Sequence, residues 1–273
     1  MKLLLLIFII IVLGIVLTVV ITDKKVASEK LNTAQRITYK DGVNVRIISF
    51  GNTQQYIADA KVCVEETRKI FDQLNCTTFT TVYSRKDVVP LIRRHKKWFY
   101  EKKRGYGHWM WKPFIIQQEL SKCEEGDVVV YMDSGRRMAD VEQAKLFLEC
   151  ANPIAVSRDA GWLISKLVNS ETLDALGIKE YPNCKQVLAS HMAISKSEKG
   201  VNLVNLWLEI CELEKTIEDH ERYKGNSSHD QCVLSLIMYS MKLSVIDHSK
   251  GMGIRVGKTS HRNGIKLITD LFK

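Results

Sequence analysis

The stretch GDVVVYMDSG, residues 126–135, decides the fold. Val128, Val129, Val130 and Tyr131 form an unbroken apolar run of strand length. That is the pattern of a strand covered on both faces, as in a parallel sheet between helices. Burying an ionised Asp133 would be costly, so it is expected where the strand emerges at its carboxyl end, with Gly135 letting the chain turn away. The plainer reading of Asp133-Ser134-Gly135 is a simple turn, since all three residue types favour turns.

Working outward, VNVRIISFGN (43–52) predicts a strand running into a turn, and ADAKVCVEETRKIFDQLN (58–75) spaces its apolar residues for one helical face. TTFTTVYS (77–84) predicts a second strand. PLIRRHKKWFYEKKR (90–104) is basic with aromatics interleaved, either a flap over a ligand or a solvated helix face. Pro113 suits the first turn of a helix that leads into the quoted strand. Beyond it come a helix over 139–150, a short strand over 154–157 and an extended segment or strand pair over 183–195. An amphipathic helix over 197–219, a helix from 229 and a strand over 243–253 ending in Asp247-His248 complete the chain. The alternation up to about residue 157 predicts an α/β fold: a mainly parallel, Rossmann-like sheet with helices on both faces.

The composition is ordinary for a globular domain, with 45% hydrophobic and 26% charged residues in 273. Leu3 to Ile21 carries no charge, and a helix needs about 20 apolar residues to span a bilayer, so residues 1–22 are expected to be a signal anchor and transmembrane helix. Residues 23–41 then form a polar stalk, and 42–273 a single domain. The net charge of +9 favours anionic partners. Basic residues are interrupted by acids and no nucleic-acid motif occurs, so nucleic acid is not expected as a partner. Seven cysteines show no CxxC pairing, against a zinc ribbon or redox motif. Lys24, Lys25, Lys30 and Arg36 after the span favour a cytoplasmic domain by the positive-inside rule. Long domains translocate against such a bias, and sequons at Asn75 and Asn226 fit the lumen of the ER or Golgi, the placement favoured here.

Ligands of open α/β sheets bind beyond the carboxyl ends of the strands. Three polar clusters fall at such ends: Ser49 to Asn52, Asp133-Ser134-Gly135 and Asp247-His248. Together they suggest a nucleotide pocket with an acid holding a divalent ion. GYGHWMWKPFIIQQEL, YMDSG and His229-Asp230-Gln231, in that order, resemble the signature of a glycosyltransferase-like group of large DNA viruses and bacteria. The resemblance implies a GT-A type fold, with a nucleotide-sugar half over about 42–157 and an acceptor half over about 158–273. It also implies transfer of a sugar, with UDP-sugar the favoured donor, to a glycan or glycoprotein hydroxyl.

Such folds carry an Asp-x-Asp pair on Mg²⁺ or Mn²⁺, hard ions suited to oxygen ligands. Here Gly135 stands where the second acid would be. His248 in HSKG resembles the late His-x-x-Gly of glycogenin-type enzymes, where that histidine ligates the metal; an ordinary loop histidine is the other reading. The expected donor-binding set is Ser49, Asn52, Lys112, Asp133, Ser134 and Gly135, with Asp133 and His248 as metal ligands. Lys112 at a helix start would offset diphosphate charge. Trp109, Trp111 and Gln231 are candidates for sugar contact, and Asp230 with His229 for general-base work, Asp230 being otherwise a helix cap. The alternatives are a phosphohydrolase using Asp133, which lacks a second Asp at 135, and a basic membrane-tethered binding module without catalysis.

Overall fold

The computed structural model describes residues 42–180, 182–219, 229–246 and 254–255. The anchor and stalk expected over 1–41 lie outside the described residues, as does His248. No helix among the described residues is long and apolar enough to cross a membrane.

Strand β1 (Asn44–Gly51) is followed by helix α1 (Gln54–Phe71) and strand β2 (Thr77–Ser84). The basic run folds as two short helices, α2 (Val89–Arg94) and α3 (Lys96–Glu101), then a tight turn, α4 (Gly105–His108). Helix α5 (Trp111–Leu120) leads to β3 (Val128–Met132) and the two-residue β4 (Arg136–Arg137). Next come α6 (Val141–Glu149), β5 (Ile154–Leu163), α7 (Ser170–Ala175) and β6 (Lys185–Ser195). Helices α8 (Glu198–Glu212) and α9 (His229–Ser240) follow, then β7 (Ile254–Arg255), which pairs with β4.

The main sheet has the order β2-β1-β3-β6-β5. Strands β2, β1 and β3 are parallel, but β6 runs antiparallel to both β3 and β5. The sheet is therefore mixed, which corrects the mainly parallel expectation. Within the segment 183–195, Lys185–Ser195 form one strand, β6, between β3 and β5, and not a pair. The helix expected over 197–219 stops at Glu212, and a 3₁₀ turn, Lys215–Ile217, follows. Of the strand expected over 243–253, the described part makes one bridge, Ile246 to Ser157.

Strand alternation sorts the side chains between two cores. Val45, Ile47, Val128, Val130 and Met132 pack with Phe71 of α1 and Phe147 of α6. Ile48, Phe50, Val129 and Tyr131 pack on the other face with Ile115 of α5, Trp207 of α8 and Val233 of α9. At the edge of this second core Glu119 is wholly buried; it bonds Arg46 at 2.9 Å, Tyr83 at 2.5 Å and Lys122 at 2.9 Å. A buried carboxylate persists only with such partners.

Candidate active site

Asp133 has the same parity as Val129 and Tyr131, so its side chain leaves β3 on the face covered by α5 and α9. Tyr131 Oη donates to Asp133 Oδ1 at 2.5 Å, and the phenol, buried and beside that carboxylate, is held well above its ordinary pKa. The Asp133 side chain is 35% exposed. It thus stands at the carboxyl rim of the sheet as expected, with Oδ2 unbonded among the described residues.

Lys112 is the centre of the arrangement. It sits in the first turn of α5 with its side chain only 4% exposed, and its Nζ donates to the carbonyl of Ala189 at 2.9 Å. The same ammonium lies 3.5 Å from Asp133 Oδ1 and 3.2 Å from Asp230 Oδ2. Burial disfavours its charge, but the two carboxylates outweigh that and raise its pKa. Asp230, in the first turn of α9, points inward to this lysine. Burial pushes its carboxyl up to about 7, with Lys112 opposing the rise and Asp133 adding to it. Three ionisable groups thus share one partly dry site, the arrangement that shifts acids toward neutrality.

A cavity of about 750 Å³ is lined by Asn52 beyond β1, Arg85 beyond β2, and Lys96, Tyr100, Lys103 and Tyr106; none of Lys112, Asp133 and Asp230 lines it. β1, β2 and β3 are parallel, so Asn52, Arg85 and Asp133 emerge on one edge. A run of aromatic rings links the cavity to the charges: Tyr106 stacks on Phe50 at 6.4 Å, Phe50 on Trp111 at 3.8 Å, and Trp111 meets Tyr131 tilted at 6.5 Å.

The GYGHW segment explains its own glycines. Gly105, Tyr106, Gly107, His108 and Trp109 all have positive φ. A Cβ on Gly105 would stand 2.3 Å from the Trp109 ring, and one on Gly107 would stand 2.7 Å from the Phe99 ring. Only glycine fits either position. The strain at Tyr106, His108 and Trp109 is held by ring contacts and by Trp111 Nε1 donating to Gly105 O at 2.9 Å.

The remaining candidates distribute unevenly. Ser49 is sealed inside β1, its hydroxyl without a partner among the described residues. Ser134 and Gly135 lie with Asp133 on the rim. Trp111 is interior, whereas Trp109 is partly exposed and stacks on His229 at 5.5 Å. Gln231 is occupied at both ends, accepting from Ala189 N at 3.1 Å and donating to Gln186 at 2.6 Å. Tyr131, Arg85 and Tyr106 went unmarked in the sequence. Tyr131 had a signal, two residues before Asp133 on the same side of a strand, and Tyr106 stood within the GYGHW motif; Arg85 had none.

No family model matches the chain, and no curated relative does. Among solved structures, mouse xyloside xylosyltransferase 1 is similar at 12% identity and a TM-score of 0.40, over 75% of this chain and 85% of that one. A glycosyltransferase involved in glycosylation of the major capsid of PBCV-1 is similar at 14% identity and 0.40, over 75% and 80%. A 4-diphosphocytidyl-2C-methyl-D-erythritol synthase from Anaerococcus prevotii gives 9% and 0.40, over 84% and 100%. Structural neighbours thus include glycosyltransferases, but likeness at this level spans more than one activity. The chemistry has to come from the residues.

Proposed function

We propose that the chain is a glycosyltransferase, moving a sugar from a nucleotide-sugar donor to a hydroxyl of a glycan or glycoprotein. The observation that carries this reading is the Lys112 ammonium shared by Asp133 on the rim and Asp230 behind it, with a basic, aromatic cavity at the same sheet edge. Arg85, Lys96 and Lys103 supply the positive charge that a diphosphate needs, and Tyr106 and Tyr100 supply faces for a base. Asn52 adds a hydrogen-bonding amide.

Asp133 Oδ2 is placed to accept a donor-sugar hydroxyl or to give one hard oxygen to Mg²⁺ or Mn²⁺. Asp133 would give such an ion one carboxylate, with the other ligands coming from diphosphate oxygens and from His248, which lies outside the described residues. Such an ion, when bound, offsets charge on the departing nucleotide. With burial raising its carboxyl to about 7 and Lys112 beside it opposing the rise, Asp230 would take the proton of the acceptor hydroxyl. UDP-sugars as donors, and a single-pass anchor through residues 3–21 with the domain in the ER or Golgi lumen, complete the proposal.

The test is thermal stabilisation of the purified full chain by nucleoside diphosphates, together with hydrolysis of a panel of nucleotide sugars. Stabilisation by a uridine diphosphate with Mn²⁺, lost in Asp133→Asn, is expected. A folded protein that no nucleoside diphosphate stabilises and that cleaves no nucleotide sugar would overturn it.

A further inference from the structure

We infer that His108, Asp219 and His229 form a second metal site, built for a divalent first-row transition ion such as Zn²⁺ and distinct from the Asp133 rim. The ligand atoms of these three residues lie within 4.8 Å of one another. Both histidines are buried, and Asp219 is about a third exposed.

The tautomers follow from one carbonyl. Nδ1 of His108 and Nδ1 of His229 each lie 2.9 Å from Ile217 O. A carbonyl only accepts, so each Nδ1 carries the proton and each Nε2 presents a lone pair. The two rings stack at 3.9 Å, which sets those lone pairs side by side. His229 Nε2 faces Asp219 Oδ1 at 3.5 Å, and neither atom has a hydrogen-bond partner among the described residues.

Two imidazole Nε2 atoms and a carboxylate oxygen therefore converge on one point, a set that a cation would bridge. Arg104, 4.0 Å from Asp219 Oδ1, eases the carboxylate alone. An imidazole whose other nitrogen donates to a backbone carbonyl is the usual support for a metal-bound histidine. Two ligands on a tetrahedral Zn²⁺, with bonds of about 2.0–2.2 Å, stand roughly 3.4 Å apart, close to the His229–Asp219 separation. The nitrogen-rich set selects Zn²⁺ over Mg²⁺, which prefers oxygen, and supplies three ligands from the described residues. The ion would clamp the strained GYGHW turn to the start of α9, immediately beside Asp230.

The proposal is tested by stripping the full-length protein with a chelator and titrating Zn²⁺ by calorimetry, with Co²⁺ as a spectroscopic substitute. One Zn²⁺ per chain is expected, bound at least about 10-fold more tightly than Mn²⁺, with no Mg²⁺ binding there and visible Co²⁺ bands. Asp219→Asn and His108→Gln should each weaken Zn²⁺ about 10–100-fold, while Asp133→Asn leaves it unchanged. Asp219 is partly exposed, so its variant keeps the fold should the histidine variant lose it. Folded protein that takes up no Zn²⁺, or binds it equally well in Asp219→Asn, would overturn the site. Loss in Asp133→Asn alone would place the metal at the rim instead. None of these outcomes depends on the sugar-transfer reading.

Discussion

Lys112 and Asp230 form an ion pair 3.2 Å long, with both side chains 4% exposed. A buried pair of this kind is costly to break from one side, because the remaining charge is stranded.

Lys112→Met should therefore destabilise the protein by about 3–5 kcal/mol, read as a fall in the midpoint of denaturant unfolding. Asp230→Asn should cost less, since Asp133 still faces the ammonium. A Lys112→Met variant as stable as the parent would show that the three charges are not coupled.

If sugar transfer is the activity, Asp230→Asn should lower kcat about 10²–10⁴-fold with little change in donor KM. Tyr106→Ala, at the cavity, should act the opposite way, raising donor KM with kcat nearly intact. Steady-state kinetics on one nucleotide sugar separates the two patterns.

Gly107→Ala should be destabilising, because its methyl meets the Phe99 ring and its backbone has a φ of 81°. The expected cost is about 1–3 kcal/mol. Gly126→Ala is the control: its φ is 92°, but nothing lies within 4 Å of the added carbon, so the difference between the variants isolates the clash.

Glu119 gives a pH signature. Burial opposes its charge, but hydrogen bonds from Tyr83, Lys122 and Arg46 outweigh it and hold the carboxyl below its ordinary value. A lowered carboxylate contributes stability that is fully present above the unfolded-state value, about 4.5, and is lost as the pH falls through the folded value. Thermal melting of Glu119→Gln against the parent should show this acid-side contribution vanish in the variant.

The strand that ends just before Asp133 was legible because a short β-branched apolar run bounded by Gly126 and Gly135 is the pattern of a strand buried on both faces. The direction of β6 was not legible. A buried strand reads the same whichever way it runs, and its partners lie far off in the chain. Lys112 was marked for a phosphate, and its burial between two acids could not be read, because lysine is rarely interior and its partners come from β3 and α9. The convergence of His108, Asp219 and His229 is likewise spatial, with no spacing that betrays it.

The strands differ in reach. β3 has five residues, whereas β5 has ten and β6 eleven, and their pairing continues past Met132 through Arg158–Val187 to Leu163–Lys185. A two-stranded parapet thus overhangs one side of the rim. Insertions or deletions along it would reshape what can approach Asp133 without shifting the register of the three parallel strands, so selectivity could drift there while the charged centre stays fixed.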